Sequence, residues 1–481
     1  MSLQSNTYFF FNRGLLNPQG CSNIAAHMCK AVKDTAVSPM FTEGSSETPM
    51  LPWEVRYDNA YPNVIYDEEQ GIYHCYYTLF TRDDDSRGVS REERAHRQYQ
   101  PGPARITSLC YARSRDGVNW EKPNLGFVEF EGSRDNNILF KYAHGTGVFL
   151  DREETDRKKR YKMVTKVEGA YNATNYMAVN FSEDGVHWGR MIRWPAHNPA
   201  ADSHNFPFRD PQDGKFKMIT RTWSAGVRIS SICESEDFIN WSAPREIARG
   251  ASFADQIYSM PVFYYKGMYL GLASIFHEGD REEENFDTVD LELRYGPSVN
   301  HLDQAVPGEY LIDRGAGKYP DGEFDCGCIY AAVPLEMDGK LCMYYMGGNG
   351  QHTNFRETSF GRAFIEKDKF AYVEPKDKGR EMIVSSTMMH VFGDDIELLA
   401  DIGKGGSIAA AYYDRWSGEP LKGFDFDDCR IEPGADGYVH LHFDRRVDEL
   451  RRGTVCIKFR VKNAKLYALR GDLEVYGGRY Y

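Results

Sequence analysis

The chain lacks any apolar run near the ~20 residues that a membrane-spanning helix needs, and its longest aromatic cluster at the start, "YFFF" at 8–11, is too short for a signal-peptide core and has no small-residue cleavage site after it. Positive charge is in deficit. Against 71 Asp and Glu stand 58 Lys and Arg, a formal net charge of −13, which argues against nucleic acid and anionic membrane as main partners. The ten cysteines are scattered, with only "CGC" at 326–328 close together. No metal-ligand spacing recurs and no disulfide framework is implied, so no metal or other cofactor is expected. Free thiols point to a reducing compartment such as the cytoplasm, and the opening "MSL" leaves open a natural leader that has been removed. Aromatics are plentiful, at 14% of 481 residues, which suits strands and sugar-stacking surfaces better than helices.

What the chain does have is repetition. "YARSRDGVNWEKP" (111–123), "NFSEDGVHWGR" (180–190) and "CESEDFINWSAPREI" (233–247) write Ser-x-Asp-(Gly)-x-x-Trp three times. "LELRYGPSVNHLDQA" (291–305) and "SFGRAFIEKDKFAYVEP" (359–375) read as degenerate fourth and fifth copies. Upstream of each lies an apolar strand, a polar turn and an aromatic-rich strand: "NVIYDEEQGIYHCYYTLF" (63–80), "GVFLDREETDRKKRYKMVTK" (147–166), "NFPFRDPQDGKFKMITR" (205–221), "YSMPVFYYKGMYLGLASIF" (258–276) and "CIYAAVPLEMDGKLCMYYMGG" (328–348). Five hairpins match five turns, at a spacing of about 50 to 70 residues that fits four-stranded blades. The expected fold is all-β, a five-bladed β-propeller over 51–378 with an N-terminal extension at 1–50. The tail, 379–481, alternates in short strands with Gly and Asp turns and is expected to form a β-sandwich. In this reading the repeated Asp caps a turn and Trp120, Trp188 and Trp241 plug the gaps between blades.

The first strand of each hairpin should line the central channel, so chemistry is expected where those strands begin. Counting back fourteen residues from Tyr73, Phe216 and Tyr269, which open second strands, gives Asn59 (beside Asp58), Asp202 and Asp255. The same count from Leu341 gives Gly327, just after Asp325 and Glu323, and from Tyr161 gives Gly147, near His144. Acids thus recur at one level in four hairpins.

Five hairpins, "DGxxW" turns, inner-strand acids and a β-rich tail resemble the five-bladed propeller glycosidases of glycoside hydrolase families 32, 43 and 68. "YDNAYPNVIYDEEQGIYHCYY" is similar to the opening strand of family 32, whose Asp is the nucleophile. The resemblance implies that role for Asp58, with a two-residue offset that involves Asn59. "FRDP" (208–211) matches the family's Arg-Asp-Pro by letters, but Asp210 falls in the turn after the inner strand. Asp202 occupies the expected level. The family's Glu-Cys acid is absent, and "GEFDCG" (322–327) is the nearest acidic cluster. The resemblance covers about residues 51–378 and implies a carbohydrate substrate, possibly a furanoside.

Glycoside hydrolysis needs one carboxyl group that protonates the leaving oxygen and another that attacks the anomeric carbon or activates water. Asp58 is the expected nucleophile or base and Asp202 the orienting acid, with Glu323, Asp325 or Asp255 as proton donor. Crowded carboxylates are expected to raise one another's pKa. Asn59, His144, His204 and His352 are expected to reach the channel, and Trp53 and Tyr258 to stack on a sugar face. A non-catalytic carbohydrate-binding propeller and a calcium-dependent scaffold are the alternatives. The charged insertion 82–104 is either a solvated loop, a flap over the channel or a subunit contact.

Overall fold

A computed structural model describes residues 6–43, 51–169, 175–450 and 453–476. Five antiparallel strand groups follow one another along the chain. Blade 1 comprises Asn63–Asp67, Ile72–Arg82, Ile106–Ser114 and Trp120–Glu121, with Ile138–Lys141 added beside the third strand. Blade 2 comprises Ala143–Leu150, Tyr161–Val167, Tyr176–Ser182 and Ile192–Arg193. Blade 3 comprises Phe206–Arg209, Phe216–Ser224, Val227–Ser235 and Arg245–Arg249. In blade 4 the inner edge is split into Asp255–Ser259 and Val262–Tyr265, both paired with Met268–His277, and Val289–Gly296 and Asp303–Gln304 complete it. Blade 5 repeats the split edge with Cys328–Ala331 and Leu335–Met337 against Lys340–Gly348, followed by Thr358–Glu366.

Contacts between successive blades close the ring. Asn63 Nδ2 donates to the Thr146 carbonyl at 2.8 Å, and Asn205 N donates to the Gly145 carbonyl at 2.8 Å. The Arg221 guanidinium lies 4.5 Å from the Tyr258 ring, Val289 pairs with Cys328, and Tyr344 Oη donates to the Gly117 carbonyl at 2.8 Å. The last contact joins blade 5 to blade 1.

The repeated turns supply much of this packing. Asp116 Oδ1 accepts from the backbone N–H groups of Val118 and Asn119, and Asp184 and Asp237 do the same in their turns. Each turn then leans on the blade before it. Trp120 packs edge-on against Tyr344 and Phe360 of blade 5, Trp188 against Tyr76 of blade 1, and Trp241 stacks at 5.2 Å on Trp194 of blade 2. Glycine is required in the first two copies because φ is positive and a Cβ at Gly117 or Gly185 would meet Tyr344 Oη or Tyr76 Oη at 2.3 or 2.4 Å. In the third copy Phe238 takes that place at φ 66°, and its ring is buried among Phe216, Val164 and Trp241.

A second set of acids works in the turns between first and second strands, at the same end, where Gln70 Nε2 donates to the Asp184 carbonyl at 3.2 Å. Asp67 accepts from Tyr161 Oη and Asp210 from Tyr269 Oη, each from the next blade. Asp210 is therefore a buried turn residue, in keeping with its position after the inner strand.

The tail folds around two long, bent strands, Met382–Asp414 and Thr454–Val475. Arg460 pairs on one side with Ile383 and on the other with Ala409, so the first strand lies on both edges of the second. Met382, Val384, Leu398, Ile408, Tyr412, Ile457 and Phe459 share the buried interior of this sandwich. Segments within 6–43 are woven into both bodies. Asn6–Phe9 and Ile24–Met28 join the sandwich sheet, while Val32–Lys33 and Phe41–Thr42 form the outer edge of blade 5. Asp368, in the fifth turn, ties the bodies together by accepting from Tyr265 Oη of blade 4 and Tyr438 Oη of the sandwich, both at 2.8 Å.

Candidate functional site

The starts of the first strands and the connections between second and third strands lie at one end of the propeller, because paired antiparallel strands place those two points side by side. Asp255 pairs with His277 and His144 with Lys166 in this way. Backbone strain concentrates here. Asp58, Ala60 and Tyr61 all have φ between 44° and 54°, and Ala201 and Asp287 at this end are also positive. Non-glycine residues in this region cost energy and gather at functional sites.

Asp58 stands at the centre of the group. Its Oδ1 lies 3.0 Å from Arg356 Nη2 and 3.6 Å from Arg56 Nη2, and both arginines are buried. The Asp58 side chain keeps 27% of its surface exposed. Burial favours the neutral acid, but the guanidiniums of Arg356 and Arg56 win and hold the carboxyl down to about 2. Arg356 Nη2 also donates to Asn59 Oδ1 at 2.5 Å. Asn59 Nδ2 in turn donates to Tyr61 Oη at 2.8 Å and Tyr258 Oη at 3.1 Å. His352 packs edge-on to Tyr258 at 4.3 Å, and its Nδ1 lies 2.6 Å from Tyr330 Oη. Burial and the nearby Arg356 charge keep that imidazole neutral, well below its ordinary range.

His144 and His204 flank the Tyr61 ring at centroid distances of 6.1 and 5.8 Å. His204 is buried and its Nε2 lies 3.1 Å from Asn63 Oδ1, and burial pushes its pKa down to about 3. His144 Nδ1 lies 2.9 Å from Glu168 Oε1, which also meets Lys166 Nζ at 3.2 Å. Burial raises the Glu168 pKa, but His144 and Lys166 outweigh it and hold the carboxyl at about 2. Asp202 pairs with Arg221, whose guanidinium lies over Tyr258. Burial opposes ionisation of Asp202 as well, and Arg221 overcomes it so that the pKa is lowered.

The structure thus brings together Asp58, Asn59, Tyr258 and His352 directly, and Asp202, His144 and His204 through Arg221 and Tyr61. Four expected residues have their partners elsewhere. Trp53 Nε1 donates to Asn137 Oδ1 at 2.7 Å, and its ring packs with the core shared by blades 1 and 5. Glu323 is exposed and accepts from Ala316 N at 3.1 Å. Asp325 is buried against Tyr345 Oη at 2.8 Å and Lys33 Nζ at 2.6 Å, the latter brought by the N-terminal strand. Asp255 is 39% exposed at the same end and lies 2.8 Å from His277 Nδ1, whose Nε2 lies 2.9 Å from Asp290.

The electrostatics differ from the expected crowding of carboxylates. Asp58, Asp202 and Glu168 each have a cation beside them and are lowered rather than raised, whereas burial raises Asp287 at the same end. The cations Arg56, Arg221, Arg356 and Lys166 were not foreseen from sequence. Lys166 was within reach of strand pairing, since it lies opposite His144 near the end of its strand. Arg356 lies in a connection with no periodic signal. The insertion 82–104 is largely exposed and touches the site through one residue. Tyr99 lies under the Arg56 guanidinium at 3.8 Å, and its N–H donates to Asn354 Oδ1 at 2.9 Å.

Among the described residues, no three or more His, Cys, Asp and Glu side chains are grouped so as to hold a metal ion. No family model and no curated protein matches the chain. Solved structures similar to it include a glycosyl hydrolase from Bacteroides ovatus, at 14% identity over 71% of this chain and 94% of that one, with a TM-score of 0.44. A fructofuranosidase from Schwanniomyces occidentalis matches at 10% identity over 93% of this chain and 100% of that one, TM-score 0.43. An N-acetylgalactosamine deacetylase from F. plautii, in complex with blood group B trisaccharide, matches at 15% identity over 73% and 97%, TM-score 0.43.

Proposed function

We propose that the chain is a glycoside hydrolase acting on an oligosaccharide or glycoside at the Asp58 end of the propeller. The observation that carries this reading is a partly exposed carboxylate, held ionised by two buried arginines and set on strained backbone beside three tyrosine hydroxyls. Asp58 attacks the anomeric carbon, or removes a proton from the water that does, and the glycosidic C–O bond breaks as the leaving oxygen gains a proton. Asn59, Tyr61, Tyr258 and Tyr330 offer hydrogen-bonding groups to sugar hydroxyls. Asp202 orients the sugar from the opposite strand start. Asp255 is the proton donor in this reading. Asp255 is 39% exposed at this end, and His277 beside it can resupply the proton. Burial lowers the His277 pKa, but Asp290 and Asp255 reverse this and raise it.

A non-catalytic carbohydrate-binding propeller is the second reading, favoured by the cation beside each of Asp58, Asp202 and Glu168. The two separate in a screen of aryl glycosides and oligosaccharides. Hydrolysis by the wild type that falls more than about a thousandfold in Asp58→Asn supports the hydrolase. Binding of a sugar without turnover supports the second reading.

A further inference from the structure

Blades 3 and 4 carry an aromatic ledge beside the site that the proposed chemistry does not use. Trp223 ends the second strand of blade 3, two residues after Arg221, and the tight turn Ala225–Gly226 (φ 50° and 82°) fixes it across from Arg228. Its side chain is 47% exposed, unusual for tryptophan. The Arg228 guanidinium lies 4.6 Å from the Trp223 ring and 4.7 Å from the Phe276 ring, and Arg221 lies 5.6 Å from Trp223. Arg228 Nη1 donates to Gln256 Oε1 at 2.9 Å and to Glu278 Oε2 at 2.6 Å. Gln256 Nε2 donates to Glu278 Oε2 at 2.9 Å, which fixes this polar set. Phe253, 68% exposed, adjoins this set through its carbonyl, which accepts from Gln256 Nε2 at 2.9 Å. Arg221 and Arg228 each keep a buried Nε–H without an acceptor among the described residues, and Arg221 is 5% exposed.

We propose that Trp223, with Arg228, Gln256 and Glu278, forms an accessory saccharide subsite continuous with the Asp58 site. The continuity is physical. Arg221 touches the Tyr258 ring on one side and approaches Trp223 on the other, and Tyr258 bonds to Asn59 beside Asp58. An aromatic face ringed by fixed polar groups matches a sugar ring, which has apolar C–H faces and hydroxyl edges. The substrate class is therefore an oligosaccharide rather than a monosaccharide glycoside. This rests on the hydrolase reading for turnover but not for binding.

The test is intrinsic tryptophan fluorescence titrated with fructo-, manno-, arabino- and xylo-oligosaccharides of about three to five units. At least one series should perturb the emission of the wild type, and Trp223→Ala should bind it about tenfold more weakly, the loss of one aromatic platform. Trp223→Phe should recover most of the affinity by calorimetry. Trp416→Ala is the control, since Trp416 is 74% exposed on the sandwich and its loss should leave binding unchanged. Equal affinity in wild type and Trp223→Ala, or no binding by any of the four series at millimolar concentration, would overturn the proposal. Binding that depends on Trp223 in a protein that cleaves no glycoside would leave the subsite standing and remove the hydrolase reading instead.

Discussion

Single side chains at this site are balanced by charge, and that decides how the protein responds to acid. Asp58 and Glu168 have folded pKa values near 2, below their ordinary 3.8 and 4.5. A depressed carboxyl contributes stability above its unfolded pKa and loses it as pH falls towards the folded value. His74 and His204 are buried neutral, with pKa values pushed down by burial to about 4 and about 3 from 6.5. The unfolded chain takes up those protons first, so stability is lost from pH 6.5 downwards. His277 has the opposite sign: its pKa is raised, and its contribution is held below 6.5 and fades above the folded value. Glu43, whose pKa burial raises to about 7 against Arg94 and Arg56, has the same sign as His277, and the depressed histidines and carboxyls together outweigh the two. The melting temperature should therefore fall on acidification below 6.5 and fall more steeply below about 4. A melting temperature that rises from neutrality to about pH 4 would contradict the assignment of these groups. The same balance corrects an expectation from sequence. Crowded carboxylates would gain stability when one is neutralised, whereas Asp58→Asn strands two buried guanidiniums. It should cost about 1 kcal/mol, a value kept low because Asp58 is partly exposed.

At the scale of elements, the recurrent turns act as wedges between blades. Trp241 is 4% exposed against Trp194, so Trp241→Ala should cost about 3–5 kcal/mol. Trp120 and Trp188 are half-buried and should cost roughly half as much. Gly185→Ala should be as damaging as either, because its Cβ would meet Tyr76 Oη at 2.4 Å in a backbone conformation that alanine resists. Urea unfolding of the four variants measures the order. A Trp188→Ala loss equal to that of Trp241→Ala would show that blade contacts do not follow burial. The turns and hairpins were legible because period-two alternation and the Asp-Gly signal are local. The level of the inner acids was legible for Asp58, Asp202 and Asp255, since strand length sets it. Asp325 shares that level in sequence but is drawn inward, because Lys33 arrives from a segment about 290 residues earlier to claim it. No local pattern carries such a pairing, and none carries Arg356.

The whole molecule is a ring closed by its own N-terminal segment and braced by a sandwich. Phe41 from that segment stacks at 4.7 Å on Phe360 of blade 5, and Phe9 meets Phe370 at 6.2 Å where the two bodies join. The closed ring brings Asp58 of blade 1 to Arg356 of blade 5 and Asp202 of blade 3 to Tyr258 of blade 4 through Arg221, so the site exists only when the ring is complete. The central claim is that a sugar is cleaved at Asp58. The direct measurement is a crystal structure of Asp58→Asn holding an uncleaved oligosaccharide chosen by the fluorescence screen. The account predicts an anomeric carbon about 3–3.5 Å from the side chain at position 58 for direct attack, or one water further for an activated water, with the chain running towards Trp223. An oligosaccharide bound with no glycosidic bond near position 58, or bound beside Trp53 instead, would contradict it.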